Sequence, residues 1–235
     1  MRILLVAATV FEIRPFLDKL TPAGIQNANL SRYQLHDHHI DVLIPGVGMV
    51  PTAYYTGLQL AKEHYDLAIN AGIAGTYQKS LSLGSVVNVV EDCVPELGAE
   101  NGEQFISVFE LGLTDPDCPP YKGGKLVNDF QNDPMLNNNL TVGKLPKARA
   151  ITSNTVHGNA ESIAQIRKNE NPDVESMEGA AFFFACFSEQ LPCLQIRSIS
   201  NFVEERDKSR WNLELALKNL NRMLYAILSS FRETD

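Results

Sequence analysis

The chain has 235 residues, 44% of them hydrophobic and 20% charged, and a formal net charge of −8. That length can bury a full core, as one large α/β domain or two small ones, and the acidity argues against wrapping nucleic acid or an anionic membrane. Cys93, Cys118, Cys186 and Cys193 form no CxxC pair and no zinc spacing, so no metal site is expected from them, and Cys186 and Cys193 read as small core residues.

The opening "MRILLVAATV" mimics a signal peptide, but its apolar run is short and Glu12 follows without a cleavage site. No stretch approaches the length of a membrane span. A cytoplasmic location is the expectation, and Asn29 and Asn139 then head idle glycosylation sequons.

In chain order, short β-rich runs alternate with helical patterns. "RILLVAA" (2–8) is a continuous apolar run, the mark of a strand covered on both faces. "FEIRPFLDKL" reads as a helix, with Pro15 tolerated near its start. "RYQLHDH" and "IDVLIPG" read as a hairpin pair, and "VPTAYYTGLQLAKEHY" as a helix with Pro51 in its first turn. "DLAINAGIAG" is expected to be a buried strand running into a glycine turn, and "LGSVVNVVEDCV" a further strand.

Residues 95–145, rich in Pro, Gly, Asn and Asp, read as an irregular excursion with one short helix, long enough to be a lid or a subunit contact. "ARAITSNTV" returns to strand, "NAESIAQIRKN" to helix, and "MEGAAFFFACFSEQ" to a helix apolar on nearly every side. "PCLQIRSIS" is a strand. The last helix places Leu213, Ala216, Leu220, Met223, Ile227 and Phe231 on one face. The expectation is a single α/β domain over residues 1–235, with a central mixed twisted sheet flanked by helices.

In open α/β sheets ligands bind beyond the carboxyl ends of strands. Those ends carry Thr9 and Glu12; Gly46 and Gly48; Gly72 and Gly75; Ser153, Asn154 and His157; and Asn201, with Glu178 opening the all-apolar helix. Each has a plain structural reading. Glu12 could be a solvated first-turn acid on the helix dipole, and Asn201 could cap a turn. The glycine segments match neither a Walker loop nor a full GxGxxG. A lone His157 is more often a loop residue than a catalytic one. Glu178 is harder to dismiss, since its helix is otherwise built for burial and an unpartnered buried carboxylate is costly.

Taken together, "INAGIAG", "VESMEGAA" and "IRSISN", with Glu12 after the first strand, resemble the nucleoside phosphorylase and nucleosidase superfamily over essentially the whole chain. The nearest class within it is the bacterial nucleosidases that cleave methylthioadenosine and S-adenosylhomocysteine. The resemblance implies that Glu178, after Met177 in the "ME" motif, holds the ribose hydroxyls, that Asn201 reads the purine at N7, and that Glu12 activates water. It places Val156 and His157 against the purine and implies that Gly72, Ile73 and Gly75 let backbone approach the water or ribose. Arg197, among apolar neighbours, is expected to pair with Glu178 or Glu175 and to support the site from behind. No cofactor is implied. The expected partner is a small nucleoside, and the assembly a homo-oligomer, a dimer by preference.

Two departures refine this. The adenine-directed nucleosidases have aspartate where this chain has Asn201. An amide NH₂ can donate to a 6-oxo group while its C=O accepts from a protonated N7–H, so hypoxanthine becomes the expected leaving base. The phosphorylases bring arginines to the first strand-to-helix turn. Here that turn holds Glu12, whose carboxylate would repel phosphate and suit water, and Arg14 sits two residues further round the helix. With "SMEGAAFF" and "FVEERDKSRWN" added, the pattern resembles the futalosine hydrolases, whose substrate carries a carboxyphenyl ketone chain beyond the 5′ carbon. Arg206, Arg210 and Trp211 are the expected slot for that chain, an arginine pairing the carboxylate. A solvated charged loop is the plain alternative for that segment.

Overall fold

Strand β1 (Arg2–Val6) shows how the pleat uses a continuous apolar run. In this computed structural model, which describes residues 1–102 and 104–231, Ile3 and Leu5 enter one hydrophobic cluster while Leu4 and Val6 enter another. Helix α1 (Val10–Leu17) follows and turns Ile13, Phe16 and Leu17 inward. Strands β2 (Thr21–Asn27), β3 (Leu30–Leu35) and β4 (His38–Leu43) form an antiparallel run, with β4 parallel to β1. The hairpin pair is present as expected. The exposed edge strand β2 was not among the expected elements; it contains Pro22 and Gly24, which an edge tolerates, and its pairing with β3 has two register shifts.

Helix α2 (Met49–Leu60) leads to β5 (Leu67–Thr76) and β6 (Val86–Asp92). The expected glycine turn after "LAIN" is not a turn: β5 runs straight through Gly72 and Gly75. The 95–145 excursion is more ordered than expected. It holds a separate hairpin, β7 (Gly98–Asn101) and β8 (Gln104–Ser107), then β9 (Leu126–Val127) on β6, a 3-10 turn at Asp129–Asn132, and short helices α3 (Pro134–Asn137) and α4 (Leu140–Gly143). Leu136, Val142 and Leu145 are buried in the main core, so the second half of the excursion is packing and not a lid.

Strand β10 (Lys147–Thr152), helix α5 (Ala160–Asn169), the short strand β11 (Val174–Ser176), helix α6 (Gly179–Ser188), strand β12 (Cys193–Phe202) and helix α7 (Leu213–Ser230) complete the fold. The main sheet runs β11-β10-β6-β12-β5-β1-β4-β3-β2, with parallel and antiparallel neighbours, and β11 also pairs with β5, so one half closes on itself. The chain is a single α/β domain with a mixed sheet. α1 and α7 supply Phe16, Leu220, Leu224 and Ile227 to one cluster; α6 supplies Phe182, Phe183 and Cys186 to the other. Cys186 and Cys193 are fully buried, as expected of core residues. No helix of the described residues is long and apolar enough to cross a membrane.

Candidate active site

The carboxyl ends of β1, β4, β5, β11 and β12 meet, and β5 is the common floor. Glu12, at the start of α1, is 9% exposed. Its Oε1 accepts from the Ile73 backbone N–H at 3.1 Å, and its Oε2 accepts from the N–H and hydroxyl of Thr9 at 3.2 and 3.1 Å. This is no solvated first-turn acid. Burial raises its carboxyl above the ordinary range, against the pull of the Ile73 N–H and Arg197, and nearby Glu178 adds to the rise.

The strand through Gly72 is what lets these groups converge. A Cβ there would lie 2.4 Å from Arg197 Nη1 and 2.9 Å from Glu12 Oε1. Glycine is required by close approach, not by a turn.

Glu178 is 7% exposed and precedes α6. Its Oε1 accepts from the N–H of Gly48, the residue that opens α2, at 3.0 Å. The carboxylate therefore lies at the positive end of α2, and it makes no capping bond to α6. Met177 is half-buried in the turn between β11 and α6.

Asn201 owes its direction to a break in register. Along β12, Ile199 pairs with Ala74 and Asn201 with Gly75, so Ser200 is the extra residue of a bulge that re-aims the next side chain. Asn201 Oδ1 accepts from the Ser200 hydroxyl at 2.8 Å and Nδ2 donates to the Phe202 carbonyl at 3.0 Å. Each end of the amide keeps one further position, a second N–H and a second lone pair.

A cleft is lined by Gly75, Val156, His157, Asn201, Arg206 and Trp211, with Glu175, Phe202, Glu204 and Glu205 also on its walls. His157 donates its backbone N–H to Glu175 Oε1 at 2.9 Å, and its Nδ1 bonds Oε2 of the same carboxylate. Tyr77 donates its hydroxyl to that Oε2 at 2.8 Å. The Glu175 carboxylate raises the His157 imidazole above its usual value, against burial. Glu175 and burial together push the Tyr77 phenol up.

Arg197, 1% exposed, does not take the carboxylate partner expected of it. Its Nη2 bonds Asn70 Oδ1 and its Nε donates to Gln195 Oε1 at 3.2 Å; Gln195 donates in turn to Asp92 Oδ2 at 3.0 Å. Glu178 is engaged by Gly48 and Glu175 by His157, while the neighbouring strand β5 brings the Asn70 amide and β12 itself the Gln195 amide to the guanidinium. The guanidinium lies beside Gly72, as Glu12 does, and amides take the place of the expected carboxylate partner. Asp92, fully buried, also accepts from Thr152 Oγ1 at 3.0 Å, and burial pushes it up to about 7 against those bonds. Three strand-borne polar groups, Asn70, Asp92 and Gln195, were passed over. Asn70 stands alone within its apolar run and carried a signal, whereas Asp92 and Gln195 share their strands with other polar residues.

The loop after β12 divides the expected slot residues. The Arg206 guanidinium lies over the Trp211 ring, 5.3 Å from its centre, and both face the cleft. Arg210 does not. Its side chain is 67% exposed and bonds Glu204 at 3.0 Å with Asp207 nearby, which corrects its expected role. Among the described residues no group of three or more His, Cys, Asp or Glu side chains is arranged to hold a metal ion.

Chemically, the arrangement offers a buried carboxylate above its usual pKa, a second carboxylate at a helix N-terminus, an amide pointing into a cleft, and an imidazole backed by an acid. The sequence matches the family model described as the phosphorylase superfamily over residues 2–229. It is 29% identical to a futalosine hydrolase of Thermus thermophilus, over 78% of this chain and 79% of that one. It is also 29% identical to a 5′-methylthioadenosine/S-adenosylhomocysteine nucleosidase of Bacillus thuringiensis subsp. konkukian, over 86% of each. The fold matches that of the Colwellia psychrerythraea nucleosidase solved with adenine, with a TM-score of 0.79 at 21% identity, covering 98% of this chain and 96% of that one.

Proposed function

This chain belongs to the phosphorylase superfamily and is an enzyme related to purine nucleosidases, and on that premise we propose that it hydrolyses futalosine to hypoxanthine and dehypoxanthine futalosine. Identity to the two kinds of nucleosidase is level, so the choice between them rests on residues. The observation that carries it is Asn201. A bulge aims a neutral amide into the cleft, where it suits a 6-oxopurine: N–H to O6, C=O from N7–H.

In this reading Glu12 takes the proton from water as it attacks the anomeric carbon. Burial raises its pKa, which makes it a better base than an ordinary carboxylate once ionised. Glu178 holds the ribose hydroxyls and favours the positive charge that develops on the sugar. Asn201 tightens on the base as N7 gains its proton. Gly72, Ile73 and Gly75 let backbone and carboxylate approach the reacting centre, with Met177 and Val156 as apolar walls. Arg206 stacked on Trp211 suits a flat aryl carboxylate, the ring against the indole and the anion toward the guanidinium. Residues 1–235 act as one nucleosidase domain. A homodimer is supported by Val50, Tyr54 and Leu58, exposed apolar residues on one stripe of α2.

The test is release of the free base, hypoxanthine from futalosine and inosine and adenine from methylthioadenosine, each with and without phosphate. Phosphate-independent release from futalosine alone is expected. Adenine from methylthioadenosine would support that nucleosidase instead, and phosphate-dependent release from inosine a phosphorylase.

A further inference from the structure

Asn201 leaves one requirement of the proposed reaction unmet. When the bond between C1′ and N9 breaks, hypoxanthine departs as a neutral molecule only if a ring nitrogen gains a proton. An amide can hold an N7–H but has no proton to give. Glu12 and Glu178 are engaged with water and ribose in that reading. Elsewhere on the described walls of the cleft, an arginine such as Arg206 is no proton donor to a leaving base, and Glu204 and Glu205 are exposed carboxylates, Glu204 tied to Arg210.

His157 is placed to supply the proton. On β5, Gly75 pairs with Asn201 of β12 on one side and with Glu175 of β11 on the other. The amide and the carboxylate thus stand in register two strands apart, about 10 Å along the sheet, with the cleft above. Glu175, 4% exposed, binds the His157 backbone N–H and Nδ1 and receives the Tyr77 hydroxyl. That leaves Nε2 for the cleft that His157 shares with Asn201.

We propose, building on the hydrolase reading above, that His157 is the general acid: its Nε2–H protonates N7 of the departing purine, and Glu175 is the positioning residue that keeps Nδ1 protonated and the ring oriented. The C1′–N9 bond breaks with its electron pair going to the purine, and N7 takes the proton from Nε2. The water oxygen bonds C1′ and its proton goes to Glu12. The new N7–H rests between neutral Nε2 and Asn201 Oδ1, both acceptors. Return of the Glu12 proton to Nε2 through solvent restores both groups.

The imidazole's surroundings agree. Glu175 raises it, Glu96 adds to the rise, and burial opposes them. Arg206, Glu204 and Glu205 are the other charged groups on the cleft, and the Tyr77 hydroxyl is committed to Glu175.

The experiment is the pH profile of kcat for hypoxanthine release from futalosine by wild type, His157→Gln and Glu175→Gln. Wild-type kcat is expected to fall on the alkaline side. His157→Gln should lower kcat roughly 10²–10⁴-fold and abolish that fall, with KM little changed. Glu175→Gln should move the fall to lower pH and keep acid-side kcat within a few-fold of wild type. Wild-type kcat in His157→Gln, or an unmoved alkaline limb in Glu175→Gln, overturns the proposal. If wild type cleaves no futalosine, the substrate reading fails, and the same profiles on inosine or methylthioadenosine decide the acid by whichever is cleaved; cleavage of none overturns both. Should a variant misfold, the imidazole ¹⁵N resonances of wild type decide. A ring still protonated at neutral pH upholds the proposal, and a neutral one overturns it.

Discussion

Two parts of the site, Glu12 beside Gly72 and His157 in the cleft beside Asn201, carry titratable groups displaced in the same direction for opposite reasons. At the water end, burial lifts Glu12, so the fold favours its neutral form. At the base end, the Glu175 carboxylate lifts His157, so the fold favours its charged form. A raised acid must be ionised to serve as a base, and a raised imidazole stays protonated to serve as an acid. Raising both groups moves the condition the reaction needs, an ionised Glu12 together with a protonated His157, toward higher pH.

The most severe way to break the comparison is at the water end. Glu12→Gln should lower turnover roughly 10²–10⁴-fold while nucleoside still binds, as measured by steady-state rates and calorimetry. Near-normal turnover would remove Glu12 from the role of base.

At the base end, Asn201→Asp should cost roughly 10²–10³ in hypoxanthine release and shift preference toward 6-aminopurine nucleosides, because an acid can accept from a 6-amino group. Undiminished and exclusive release of hypoxanthine would end the base-reading role.

The pH profile separates the two ends within one enzyme. Glu12 alone gives a rate that rises above the ordinary carboxylate range and then stays level; with His157 also in use, it falls again on the alkaline side.

Smaller effects are expected further out. Trp211→Ala should raise KM for futalosine about tenfold and leave kcat nearly unchanged, since the aryl contact is equally available in ground and transition states. An unchanged KM would leave the indole as a helix anchor only.

The least effect on rate is expected beneath the site, at Asp92. Its folded pKa of about 7 stands above its unfolded value, so the native state binds the extra proton and stability falls as pH rises from the unfolded value to about 7. Asp92→Asn should flatten the dependence of melting temperature on pH across that interval. A slope unchanged from wild type would show that another group titrates there.

The site was legible wherever a polar residue stood at the end of an apolar run. Glu12, Glu178 and Asn201 were found that way, because burying a carboxylate or an amide without partners is costly. Legibility failed where a partner lay on another strand. The pairings of Glu175 with His157 and of Arg197 with Asn70 join residues 18 and 127 positions apart in the chain, and no local pattern encodes them. Arg210 failed for a related reason. Its neighbours in sequence resembled a binding loop, but Glu204 and Asp207 hold it on the outer surface.

What the sequence determined by itself was period and composition. The uninterrupted run of β1, the hairpin of β3 and β4, the apolar α6 and the stripe along α7 are set by residues within a few positions of one another. The tertiary structure decided whether "NAGIAG" turned or ran straight. The glycines are there because Glu12, Arg197 and Asn201 crowd the strand from α1 and β12. It also decided where Asn201 points, since a bulge is a mismatch between two strands and exists only once they are paired.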